Sequence, residues 1–322
     1  HDIWLPAVQT IIDGLRERAQ SWRDVPMLSR THGQAATPTT FGKELAVFAH
    51  RLGRVVQPLH SLHLPAKMNG ATGTFSAHHI AWPDTDWVSV SKGFIERLGL
   101  EWNPLTTQIE SHDGLVALFH QMSHVGTIAH NLCTDIWTYI SLGYLRQIPV
   151  KGASRSSTMP HKVNPIRFEN AEANLEIAGG LLQTLASTLG TSRLQRDLTD
   201  SSTQRNIGVA MGHQMVAWAN IARGLGQVDI APDVMAADLE STYEVLAEAI
   251  QTVIRAEIAA GASSISDPYD VVKQLTRGAS VTAQSLKDFV SGLDISDTAK
   301  ARLLELTPAT YTGLASRLVD EL

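Results

Sequence analysis

Between positions 156 and 165 the chain reads Ser-Ser-Thr-Met-Pro-His-Lys-Val-Asn-Pro, directly after the small residues Gly152, Ala153 and Ser154. Pro160 and Pro165 bar a continuous helix through this stretch. Asn164 suits an N-cap and Pro165 the first position of a helix. A polar loop carrying Ser156, Ser157 and Lys162 is therefore expected to end on the positive end of a helix, where anions are favoured. Such a loop suits an enzyme that holds a carboxylate while a nearby hydroxyl handles a proton. The same residues also describe an ordinary polar connection between helices.

Other positions offer complementary chemistry. His32, in Ser29-Arg30-Thr31-His32-Gly33-Gln34, sits on a Gly-containing loop, and an imidazole there can gain or lose a proton near neutrality. Glu169 falls in the first turns of the helix expected after Pro165, where an acid also simply favours the helix dipole. Arg193, Arg196 and Arg205 flank Asp197, Asp200, Ser201, Ser202, Thr203 and Gln204. Guanidinium forks match phosphate geometry, and Ser201-Ser202-Thr203 could cap the following helix; a solvated charged linker has the same composition. The run Lys67-Met68-Asn69-Gly70-Ala71-Thr72-Gly73 is a Gly-rich turn and a weak signal alone. His120 and His124 stand four apart on a helical pattern, but the glutamate of a helical zinc pair is missing and no third ligand is evident, so no metal is expected.

Long helices must carry these loops. Apolar residues recur at spacings of three and four over 39–62 (Phe41, Leu45, Phe48, Leu52, Val55, Leu59) and over 113–142 (Leu115, Leu118, Met122, Val125, Ala129, Leu132, Ile136). A third pattern covers 165–189, and further helices are expected over 202–225 and 232–259. Pro and Gly mark loops at 26–38, 65–73, 102–104 and 149–165, and no convincing strand run appears. The class is all-α: an elongated long-helix bundle over 1–225 and a small helical C-terminal domain over 226–322. Shorter helices are expected there at 268–275, 282–291 and 297–306.

The 322 residues are 43% apolar and 18% charged, which permits a large core, and the formal charge of −6 argues against nonspecific nucleic-acid binding. The single cysteine, Cys133, excludes an internal disulfide, fits a reducing cytoplasm and lies in an apolar helical stretch as an inert buried thiol. No apolar run has the length of a membrane span. The opening His1-Asp2-Ile3-Trp4-Leu5 reads like a helix interior and suggests a polypeptide lacking its beginning.

The segment 156–165 resembles the signature of the fumarase/aspartase superfamily, whose members release fumarate by β-elimination. His161, before Lys162, is similar to the adenylosuccinate lyase form. So are Arg193-Leu194-Gln195-Arg196-Asp197-Leu198-Thr199-Asp200-Ser201, Thr31-His32-Gly33-Gln34 and Thr106-Thr107-Gln108-Ile109-Glu110. This resemblance, to the longer bacterial form, implies cleavage of adenylosuccinate to AMP and of the succinylaminoimidazole carboxamide ribotide to its carboxamide, without a cofactor. It implies Ser156 as base, His32 as acid, Glu169 as partner of His32 from another subunit, and Lys162 beside the alkoxide or the carbanion. It implies substrate contacts from Thr31, Gln108, Asn164, Asn170, Arg196 and the segment Ser201, Ser202, Thr203, Gln204 and Arg205. The family's architecture implies a homotetramer with shared active sites, and a first domain not seen in this sequence. Arg155 stands where the family usually has Gly, which puts in doubt how the loop closes. Two rivals remain: argininosuccinate lyase or aspartase activity, against which His161 and the arginine-rich segment speak, and a non-catalytic helical scaffold.

Overall fold

The computed structural model describes residues 1–148, 163–276 and 281–322, with backbone alone for 274–276. Those residues are mostly helical with a few short strands. Helix α1 (Trp4–Ser21) leads into an antiparallel hairpin of β1 (Pro26–Thr31) and β2 (Gln34–Thr40), then α2 (Phe41–Val56) and β3 (Pro65–Ala66). Helices α3 (Ser76–Ala81) and α4 (Trp87–Arg97) precede β4 (Glu101–Trp102), which pairs in parallel with β3, and the 29-residue α5 (Asp113–Ser141). Next come β5 (Leu145–Gln147), the 24-residue α6 (Ile166–Leu189), α7 (Thr199–Gln204), α8 (Ile207–Leu225) and β6 (Val228–Ile230), antiparallel to β5. Helices α9 (Pro232–Glu240), α10 (Ala247–Ala259), α11 (Pro268–Thr276), α12 (Ala283–Ser291), α13 (Asp297–Leu304) and α14 (Ala315–Leu318) follow.

The chain divides into two units, with boundaries falling inside α1, α2 and α5. The first takes His1–Gly14, His50–Thr138 and Pro149–Gln227; the second takes Leu15–Ala49, Tyr139–Ile148 and Val228–Leu322. In the first unit, α6 buries Phe168, Ala171, Leu175, Ala178, Leu182, Leu185 and Leu189. Their alternating spacing of three and four is the seam that lets long helices interlock side by side. Opposite lies α8, and Gly224 is required there: a Cβ at that position would stand 2.7 Å from the Phe168 ring. Buried Gln214 ties three helices together, accepting from Trp4 Nε1 at 2.7 Å and donating to the Met122 carbonyl at 2.9 Å.

In the second unit, Leu239, Leu246, Ile250, Ile254, Leu286, Val290 and Leu303 form the core, with Leu28 of β1 joining them. Capping supports the small helices. Thr282 and Ser285 form a reciprocal capping box on α12, and Ser296 accepts from the Ala299 amide on α13.

Several expectations need correction. The stretch 26–38 is part of a β-hairpin, not a loop, so the helix expected from 39 starts at Phe41. Burial in these strands runs in blocks, not in alternation (Met27 and Leu28 buried together, then Thr39 and Thr40), so no period of two marks them in the sequence. The helix expected over 232–259 is interrupted, because Thr242 leaves helical φ/ψ and its hydroxyl returns to the Asp238 carbonyl at 2.7 Å. Asn164 does not cap α6: Pro165 occupies the flanking position, at φ −78° and ψ 44°, and no side chain caps the helix.

Gly42 lets α2 start against the end of α1. A Cβ there would lie 2.4 Å from the Ala19 carbonyl oxygen and 2.6 Å from Arg23 Cα, both backbone atoms. Gly42→Ala is therefore expected to destabilise the fold by about 1–3 kcal/mol, despite alanine's better helix propensity. Thermal or urea unfolding checks this; unchanged stability would contradict the close approach.

Candidate active site

His32 stands at the tip of the β1–β2 hairpin. Thr31 pairs with Gln34, so His32 and Gly33 form the whole turn, with φ of +53° and +75°. Two left-handed residues make the tight turn whose twist matches the strands. Gly33 adopts this freely, whereas His32 does so under strain, a condition that concentrates at functional positions. Both Thr31 and His32 are exposed.

The second unit braces this hairpin by ionic and polar ties. Arg30 pairs with Asp238 of α9 at 2.6 Å, and the Tyr144 hydroxyl donates to the same carboxylate. Thr37 donates to Glu248 of α10, which also accepts from the Tyr311 hydroxyl at 3.2 Å. Burial, followed by the Asp238 carboxylate, pushes the Tyr144 hydroxyl well above the usual tyrosine range.

In the first unit a second group assembles around Gln108. Pairing of β3 with β4 sets the Gly-rich turn alongside the segment 103–110. Buried Asn69 exchanges hydrogen bonds with the Thr106 hydroxyl at 2.9 and 3.2 Å, and Lys67 reaches the same segment. Gly73, at φ +81°, is required, because a Cβ would lie 2.0 Å from the Thr106 carbonyl oxygen. The Gln108 amide then donates to the Gln195 carbonyl at 3.2 Å, and Gln204 meets His112 Nε2 at 3.1 Å. The stretch from Gln108 to His112 and the arginine-rich segment are thus joined at two points.

Arg196 pairs with nearly buried Asp200 at 2.8 Å. Asp197 accepts from the Thr199 and Arg193 amides, and these bonds, the Thr199 one foremost, hold its carboxyl below the usual range. Ser201, Ser202, Thr203 and Gln204 lie inside α7 with Arg205 at its end, so they do not cap the following helix as expected; Asn206 flanks α8, with no side-chain cap.

A third group lies at the other end of α6. Glu169 accepts from Trp137 Nε1 at 3.1 Å. Asn170 accepts through its amide oxygen from Asn220 at 2.8 Å and Asn174 at 3.2 Å. Arg167 donates to Asn220 at 3.0 Å, and His213 meets Asn174 at 2.7 Å. Asn164 is exposed just before the helix. Gly190 nearly touches Val116, one turn beyond His112, so the Gln108 group belongs at the far end of α6. At about 1.5 Å per residue, the stretch from Glu169 to Leu189 spans about 30 Å. The two groups do not meet within one chain.

Ser156, Ser157, Lys162, His161 and Arg155 lie outside the described residues. Among the described residues no three His, Cys, Asp or Glu are grouped as a metal would need, and no helix is long and apolar enough to cross a membrane. Cys133 is fully buried, and burial pushes its thiol upward. Sequence reasoning missed Trp137, Asn220 and His112; only the unusual positive φ of His112, +65°, sets one of them apart, and that is a property of structure.

Two family models match the chain: "Lyase" over residues 1–178 and "Adenylosuccinate lyase C-terminal" over 192–312. The adenylosuccinate lyase of Escherichia coli (strain K12) is 44% identical over 321 residues, covering 100% of this chain and 69% of its own length. That of Legionella pneumophila (strain Corby) is 46% identical over 316 residues, covering 98% and 68%. Among solved structures, 3-carboxy-cis,cis-muconate lactonizing enzyme from Pseudomonas putida superposes with a TM-score of 0.77 at 23% identity, over 98% of this chain and 70% of that one.

Burial of the Tyr144 hydroxyl, with its bond to Asp238, predicts an alkaline weakness. A tyrosine raised in the folded state stabilises fully below its unfolded pKa of about 10, and that contribution is lost as pH rises through the higher folded value. Unfolding followed from pH 8 to above 11 should show stability falling from about pH 10, and Tyr144→Phe should flatten that fall. An unaltered slope would contradict a raised Tyr144 hydroxyl.

Proposed function

The chain belongs to the adenylosuccinate lyase family, and we propose that it cleaves the C–N bond of adenylosuccinate to give AMP and fumarate. The succinylaminoimidazole carboxamide ribotide of purine biosynthesis is its second substrate. Ser156 removes a proton from the succinyl carbon next to the one bearing nitrogen, the electron pair closes the fumarate double bond, and His32 protonates the departing purine amine. A serine is basic enough only in positive potential, and the Lys162 ammonium supplies it. Glu169 of another copy holds His32, with Trp137 fixing one carboxylate oxygen. Arg196, Arg205 and the residues Ser201, Ser202, Thr203 and Gln204 take the nucleotide phosphate, and Thr31, Gln108, Asn164 and Asn170 the rest of the substrate.

One observation carries this reading. The two sets of substrate residues in the first unit sit at opposite ends of α6, so a site that uses both draws them from different copies. Four copies with shared sites satisfy this, by association of the long helices, and the single cysteine fits a reducing cytoplasm.

Fumarate absorbance tests the reading against a panel of adenylosuccinate, the carboxamide ribotide, argininosuccinate and aspartate. Release from the first two alone is expected; turnover of argininosuccinate or aspartate instead would replace the assignment. Ser156→Ala should lower kcat by about 10²–10⁴-fold with substrate binding retained. A near-native rate would move the base elsewhere.

Arg196→Ala should raise KM more than it lowers kcat, since phosphate is remote from the bond being broken, although remote binding energy is partly expressed in kcat. Steady-state kinetics decide, and a loss confined to kcat would remove Arg196 from the phosphate site.

A further inference from the structure

The Gly-rich turn has no part in the proposed elimination, yet its lysine is engaged to capacity. Lys67 Nζ donates to three backbone carbonyls: Gly70 at 2.8 Å, Thr107 at 3.0 Å and Gln108 at 2.6 Å. An ammonium has three donors and no acceptor, so none is left over for a ligand. Among the described residues no carboxylate pairs with it, and carbonyl dipoles alone meet the charge.

Two of those carbonyls flank one residue. The Thr107 carbonyl and the Gln108 amide are opposite edges of a single planar peptide group. Its oxygen edge rests on Lys67, and its N–H edge donates to the Gln195 carbonyl at 3.2 Å. The next peptide plane is held through the Gln108 carbonyl, again by Lys67. With both planes fixed, the direction in which the Gln108 side chain leaves the backbone is fixed too. Charge-assisted bonds of this kind are about twice as strong as neutral ones. Asn69 holds the same segment at the Thr106 side chain, and Gly73 packs under the Thr106 and Thr107 carbonyls, but of these three residues Lys67 alone bonds to the carbonyls on both sides of Gln108.

We propose that Lys67 is a positioning residue: its ammonium clamps both peptide planes around Gln108 and sets where that side chain meets the substrate. The inference rests on Gln108 being a substrate ligand. It also gives the Gly-rich turn a purpose, since the turn carries the clamp to the loop that needs it.

The test is a double-mutant cycle in the intact protein, with Lys67→Met, Gln108→Ala and the pair, read as KM and kcat for adenylosuccinate. Each single change should raise KM roughly tenfold or more, given that a misplacement of about 1 Å can cost on the order of 10²-fold. The pair should be no worse than the worse single, because Lys67 acts through Gln108. Independent, multiplying effects on KM would overturn the clamp while leaving Gln108 as a ligand. A native KM in Gln108→Ala would overturn the ligand assignment and the clamp with it. If Lys67→Met does not fold, as judged by its melting curve, Lys67→Gln takes its place in the cycle and is read the same way.

Discussion

The alternating seam of α6 is the constraint on which the first unit depends. Phe168, Ala171, Leu175, Ala178, Leu182, Leu185 and Leu189 are buried along a single stripe. At roughly 25 cal/mol per Å² of apolar surface, no polar tie in this unit approaches the stabilisation such a stripe provides. The stripe makes α6 a straight spacer with chemistry at both ends. Near its start stand Glu169, Asn170 and their partners Trp137 and Asn220; near its finish stand Gln108, Arg196 and Gln204. Packing of Phe168 against Gly224 fixes the depth of the first end, and contact of Gly190 with Val116 fixes the second.

The second unit uses a different kind of fixation. Its hairpin is held partly by Leu28 in the core and partly by Arg30, Tyr144 and Asp238 above it. Pairs with partial exposure contribute little energy singly, but here one carboxylate receives two donors from different elements, which restricts direction more than it adds stability. For a histidine carried on a two-residue turn, direction is what matters.

The long helices were legible because many residues repeat one pattern, so a few exceptions do not hide it. Features that depend on one or two residues were not. The β1–β2 strands lack β-branched alternation, and His-Gly is not among the dipeptides that announce a tight turn. The break in the helix after Glu240 rests on one threonine hydroxyl, and α7 forms from Ser and Thr residues that resemble a cap. In the candidate site, residue types pointed to Arg196 and the family resemblance to Gln108, but nothing in the sequence joins Gln108 to Gln195 or Glu169 to Trp137. Those contacts cross 87 and 32 positions, a long-range geometry that only the folded chain creates.

Cys133 has a practical consequence. It is the only thiol in 322 residues, it is fully buried in α5, and its surroundings suppress the reactive thiolate. Towards alkylating probes the native chain therefore behaves as though it had no cysteine. A cysteine introduced at an exposed position, Ala301 of α13 for example, would be the sole labelling handle, and this chain comes ready for site-specific fluorophores or spin labels without prior removal of native thiols.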